Sequence, residues 1–102
     1  MADEPTLARR LRDARQALGI SQKQLGILAR IDEFVASARI NQYERGKHAP
    51  DQSTSARLAK VLNVPVSYLY EPDDEIAELL RIAGRLSRSK LRALLKRVAD
   101  PA

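Results

Sequence analysis

Apolar residues recur at intervals of three and four along most of this chain, and no stretch alternates with a period of two. That pattern predicts amphipathic helices and no strand. Leu7, Leu11, Ala14 and Leu18 share one face of a first helix, with Thr6 as a possible N-cap and Gly19 supplying the left-handed residue after its end. Ser21 begins a second helix. Here "SQKQ" is a capping box, in which the Ser21 hydroxyl accepts from the Gln24 amide while the Gln24 side chain reaches back. Leu25, Leu28 and Ala29 give that helix its buried side, and Ala36, Ile40 and Tyr43 do the same for a third that ends at Gly46. Pro50 and Asp51 open a fourth, with Leu58, Ala59 and Leu62 inward and Asn63 as terminator. "VPVSYLY" reads as a short fifth helix, whose Val66, Leu69 and Tyr70 close the core. The expectation is an all-α domain of five helices over residues 6–70.

After "EPDDE" the character changes. Ile76, Leu79, Leu80, Ala83 and Leu86 form one apolar stripe, and Leu91, Leu94, Leu95 and Val98 form another. Residues 71–100 therefore read as a C-terminal extension of one or two amphipathic helices. Acids stand at its start and bases towards its end, an order that suits the helix dipole. From Arg81 to Arg97 there are seven basic residues and no acidic one.

Composition narrows the picture. At 102 residues, with 44% hydrophobic and 30% charged, the chain has the mixture of one globular domain. No window approaches the roughly 20 apolar residues of a membrane span. "MADEPTLARR" lacks the apolar core of a secretory signal. The absence of cysteine removes disulfides, thiolate metal sites and thiol catalysis, and it fits a reducing cytoplasm. The net charge of +5 reads either as solubility or as attraction to a polyanion, and its distribution has to decide.

The segment "INQYERGKHAP", residues 40–50, bears on that choice. Glu44 falls where a buried face should run, and Arg45, Gly46 and Lys47 follow it. The outward face of the third helix carries Ser37, Arg39, Asn41 and Gln42, with Ala38 beside them. Amides pair in bidentate fashion with adenine, arginine with guanine, and alanine can touch a thymine methyl. The bland alternative is that amides on a short surface helix mean nothing. The N-terminus of the second helix, at Ser21 and Gln22, is also a natural seat for a phosphate.

Taken in order, "GISQKQL", "I-x-x-Y-E-R-G-K-x-x-P" and "LAKVLNVPVSYL" resemble the helix-turn-helix domain of lambda-repressor-like transcriptional regulators, the xenobiotic-response-element family. The resemblance covers residues 7 to 70. It implies a sequence-specific binder of double-stranded DNA, a dimeric repressor that places the helix around residues 36–44 in the major groove. The residues it assigns to DNA are Gln22, Ser37, Ala38, Arg39, Asn41, Gln42, Arg45 and Lys47. It also implies that Arg15 pairs with Glu44, which answers the placing of a carboxylate on a core face: a guanidinium offers it a matched fork.

The chain departs from the family pattern in places. Arg30 stands where glycine is usual between the second and third helices, and a left-handed arginine is strained, so a differently shaped turn is expected. "RIDEFVASARI" is several residues longer than the usual connection. Either Asp32 caps a longer recognition helix, or "DEFV" forms a widened loop tucked in by Phe34. Gln52 and Ser55 replace residues usually apolar, which hints at a polar seam. His48 is a loop histidine, either solvated or in touch with a phosphate.

The extension offers a dimer interface through Leu79, Leu80, Leu86, Leu91, Leu94 and Leu95. A competing class of function is a protein-interaction module, an antitoxin or adaptor whose C-terminal helices hold a partner. A basic amphipathic tail could also lie on an anionic membrane surface. An enzyme is not expected, given one histidine, no cysteine and no phosphate loop. No metal or cofactor is implied.

Overall fold

The computed structural model describes residues 4–100. Those residues form α1 (Thr6–Leu18), α2 (Gln22–Leu28), α3 (Ala36–Glu44), α4 (Gln52–Leu62), α5 (Val66–Tyr70), α6 (Asp74–Ala83) and α7 (Arg88–Ala99), with no strand among them. The all-α class read from the periodicity holds, and both C-terminal stripes are helices.

Local chemistry sets most of the boundaries. The capping box of α2 is complete: Gln24 N–H donates to Ser21 Oγ at 3.0 Å, and Ser21 N–H donates to Gln24 Oε1 at 2.8 Å. Asp51 caps α4 by accepting from Thr54 N–H at 2.7 Å, and this hydrogen bond holds its carboxyl below the usual range. α1 and α4 end on left-handed residues, Gly19 and Asn63. α1 departs from expectation at its start. Pro5, with φ at −55°, precedes the helix, and Thr6 is the first helical residue rather than the cap. The proline ring fixes the entry angle, and no side chain caps the helix.

α1 runs through the middle of the domain and packs on α3, α4 and α5, while α2 lies mainly against α3. Leu11, Leu25, Ile40, Leu58, Leu62 and Leu69 are fully buried at the centre. α2 and α3 approach closely, because a Cβ built on Gly26 would stand 2.7 Å from that of Ala36. A larger residue at either position would force the two helices apart.

Several expected core positions lie outside. Leu18 and Leu28 are exposed. Each is the last residue of its helix. α5 turns Tyr68 and Leu69 inward, and Val66 and Tyr70 are exposed. Tyr70 nevertheless reaches Ser55, its hydroxyl lying 2.7 Å from Ser55 Oγ. That bond satisfies a serine only 1% exposed; of the polar seam expected at Gln52 and Ser55, only Ser55 is buried, and Gln52 is exposed.

The turn between α2 and α3 also differs from expectation. Arg30 does adopt the left-handed conformation, with φ at 68°. Ile31 N–H donates to Gly26 O at 2.9 Å and Arg30 N–H to Ile27 O at 3.0 Å, satisfying the last carbonyls of α2. Arg57 of α4 adds a clamp, its Nε donating to Ala29 O at 2.8 Å. These bonds hold the strained arginine in the shape that glycine would take without strain. Beyond it, Asp32 caps no lengthened helix. Its carboxylate accepts from Phe34 N–H at 2.8 Å in a tight turn, and α3 begins only at Ala36. Phe34 is not tucked in; it is 89% exposed.

Arg10, on the buried face of α1, ties the extension to the domain. Its Nε donates to Glu71 O at 2.9 Å and its Nη2 to Pro72 O at 3.2 Å. Nη1 lies 2.9 Å from Asp74 Oδ1, and the guanidinium stands over the Tyr68 ring. Arg9 grips the same carboxylate at 2.7 Å. α6 thereby docks through Ala77, with Leu80 partly buried. α7 buries none of its residues. The radius of gyration, 15.2 Å, exceeds the ~13 Å of a compact chain of this length, as a projecting terminal helix requires.

Candidate nucleic-acid interface

Ala36, Ile40, Tyr43 and Glu44 face inward from α3, which leaves Ser37, Ala38 and Arg39 exposed and Asn41 and Gln42 partly exposed. Arg45 and Lys47 are exposed just past its end. Gly46, with φ at 70°, lets the chain reverse there. Lys47 N–H donates to Gln42 O at 3.0 Å, so the basic turn folds back on the helix instead of leaving it. The structure thus gathers seven of the residues assigned from the sequence onto one helix and the turn that closes it: Ser37, Ala38, Arg39, Asn41, Gln42, Arg45 and Lys47.

Glu44, 4% exposed, holds this helix in place. It accepts from Arg15 Nε at 2.5 Å, from Arg15 Nη2 at 3.0 Å and from Gln22 Nε2 at 3.1 Å. Arg15 Nη1 donates in turn to Ile20 O, at the start of the turn into α2. One buried carboxylate therefore joins α1, α2 and α3. Three charge-assisted bonds offset the cost of taking it from water.

Gln22 has a different position from the rest. It is partly buried, and its amide bridges Glu44 and Asn41 Oδ1, the latter at 3.3 Å. By holding the Asn41 oxygen it turns the Asn41 amide group outward, so its role in the surface includes aiming a neighbour. The sequence signal for this bridge was the pairing of a helix-opening glutamine with an asparagine three residues before Glu44. Arg57 and Arg10, which brace the scaffold, escaped the sequence reading. Arg10 carried the same mark that singled out Glu44, a charge on an apolar stripe.

His48 is exposed, and with Arg39, Gln42, Tyr43 and Ala49 it lines a shallow open concavity beside the amide face. The described residues include no group of histidines and acids able to hold a metal ion. No described helix is long and apolar enough to cross a membrane. What the surface offers is an amide-bearing helix rimmed by cations, held rigidly by a buried ion pair. Such an arrangement suits a polyanion whose edges carry hydrogen-bonding groups.

Comparison with known proteins agrees with this geometry. The solved structure of the transcriptional regulator BswR superposes with a TM-score of 0.82 at 49% sequence identity, covering 89% of this chain and 90% of that one. No curated protein matches the chain. The helix-turn-helix family model matches residues 11–69, from the core of α1 to Leu69 of α5. With α2 and α3 as the two helices of the motif, the chain belongs to the helix-turn-helix family and has its lambda-repressor-like fold.

Proposed function

We propose that this protein is a sequence-specific double-stranded DNA-binding transcriptional regulator that acts as a dimeric repressor. The observation that carries the reading is the outward face of α3, an amide and arginine surface locked by the Arg15–Glu44–Gln22 network. α3 enters the major groove. Asn41 and Gln42 read base edges, Arg39 reaches a guanine or phosphate, and Ser37 and Ala38 make the close contacts near the helix start. Arg45 and Lys47 bind phosphates on one side, and the backbone N–H of Gln22 does so at the opening of α2. Occupancy of the operator excludes polymerase.

A single recognition helix covers too little of a duplex for high specificity, so the working unit is a two-fold dimer spanning half-sites about 34 Å apart. Residues 71–100 are the dimerisation element. Ile76, Leu79 and Ile82 on α6 and Leu95 and Val98 on α7 are exposed. α6 opens with Asp74 and Glu75, whereas α7 carries bases and no acid. A two-fold arrangement that sets α7 against the partner's α6 covers both stripes and pairs the charges. The exposed Leu95 and Val98 of α7 favour one other reading, an antitoxin or adaptor whose C-terminal helices hold a different protein.

Selection of bound sequences from random duplex DNA, at near-physiological salt, tests the proposal. An inverted repeat is the expected result. A lone half-site removes the dimer, and no enrichment turns the reading towards the partner module.

A further inference from the structure

The turn that precedes α3 presents a side chain that the fold does not use. Phe34 is 89% exposed, the most exposed of the large apolar residues among those described. It does not sit in a slack loop. Its N–H is held by Asp32 Oδ1 at 2.8 Å, and Val35 N–H donates to Asp32 O at 3.1 Å. Arg39 N–H then donates to Val35 O at 2.8 Å, which ties the turn to the first turn of α3. Val35, with φ −119° and ψ −1°, is the N-cap of that helix.

This turn sets Phe34 at the N-terminal edge of the recognition face, a few residues before Ser37, Ala38 and Asn41 of α3. All of them are exposed or partly exposed, and the opposite side of α3 is the buried one. Phe34 therefore stands at the N-terminal tip of α3, the end that a recognition helix directs at base edges. Its neighbours on the turn are Asp32 and Glu33, both exposed carboxylates. They offer phosphate no partner, so the group that the tip can bring to a duplex is the ring. The one apolar group that a base pair displays in the major groove is the C5-methyl of thymine.

We infer that Phe34 is a specificity-determining residue of this surface, its ring packing on a thymine methyl at the end of the half-site read by the tip of α3. The inference rests on the major-groove reading of α3. It adds a residue class and a chemical group that the amide contacts do not cover.

The test uses the full chain and the half-site sequence obtained by selection. Binding of wild type and Phe34→Ala is measured on that duplex, and on a series in which each thymine in turn is replaced by uracil, which lacks only the methyl. Phe34→Ala is expected to bind the thymine duplex about 5- to 10-fold more weakly, the lower part of the range for one base contact. At one position, uracil costs wild type the same factor and costs the variant nothing. Thermal unfolding of Phe34→Ala is expected to match wild type, since the ring is solvated. Equal binding by the two proteins overturns the inference, as does equal sensitivity to uracil at every position, or a half-site with no thymine under the tip of α3. If wild type shows no sequence preference at all, the underlying DNA-reading proposal fails first and takes this one with it.

Discussion

Arg15 and Glu44 meet as fork and fork, with Nε to Oε2 at 2.5 Å and Nη2 to Oε1 at 3.0 Å, across 29 residues of chain. The pair is the joint between the first helix and the recognition helix, with side chains only 14% and 4% exposed. Removing one partner strands the other in a nearly dry site. Glu44→Ala is therefore expected to cost about 3–5 kcal/mol in urea unfolding. A double variant, Arg15→Met with Glu44→Leu, recovers most of that loss, because it buries apolar groups of similar size instead of a lone charge. A double variant no more stable than Glu44→Ala would mean that the pair supplies net stability beyond the cost of its own desolvation.

The amides and the cations differ in what they do for recognition. Asn41→Ala and Gln42→Ala are each expected to lose about 1–3 kcal/mol on the preferred site and to relax preference at one base pair. Repeated selection with each variant measures this. Unchanged site preference in both variants would sink the docking of α3 proposed above.

Lys47 is exposed in the turn after α3 and is assigned to a phosphate. Lys47→Ala weakens every duplex alike and lowers the slope of log affinity against log salt by about one unit. A sequence-dependent loss in a salt titration would instead make it a base reader.

Arg30 has the wrong side chain for its backbone. With φ at 68° it adopts a conformation that costs a non-glycine residue about 1–2 kcal/mol. Arg30→Gly relieves that strain but gives the unfolded chain more freedom, so the net gain is expected to be under about 1 kcal/mol. A small rise in melting temperature is the expected outcome. A fall would show that the arginine side chain makes contacts worth more than the strain.

The docking of α6 carries a pH dependence. The guanidinium of Arg9 first, and then that of Arg10, hydrogen-bonds Asp74 and holds its carboxyl below the usual range. A carboxylate lowered in the folded state stabilises the fold above its unfolded pKa and loses that contribution as pH falls through the folded value. Asp74→Asn is thus expected to be less stable than wild type at neutral pH. The gap between the two should begin to close as pH falls below about 4 and vanish only once pH is below the lowered folded value. A gap that persists in acid would point to packing instead of charge.

Much of this molecule was legible along the chain, and the reason is range. Helix periodicity, the Ser21–Gln24 box, Asp51 at the start of α4 and the left-handed Gly19 and Asn63 all depend on residues within a few positions of one another. The Arg15–Glu44 pair was reached because its motif resembles that of a family, and because a carboxylate on a buried stripe demands a partner. What only the tertiary structure decided lies where distant segments oppose one another. Leu18 and Leu28 carry the right period, but each is the last residue of its helix, and both are exposed. Arg30 keeps a left-handed turn because carbonyls of α2 and the guanidinium of Arg57 hold that shape around it. Arg10 is buried because the α5–α6 connection passes over it and offers carbonyls. Phe34 stands in solvent because the Asp32 turn feeds directly into α3 and leaves no core surface within its reach. Sequence determines what each segment prefers over about one helical turn, and the fold determines which faces meet.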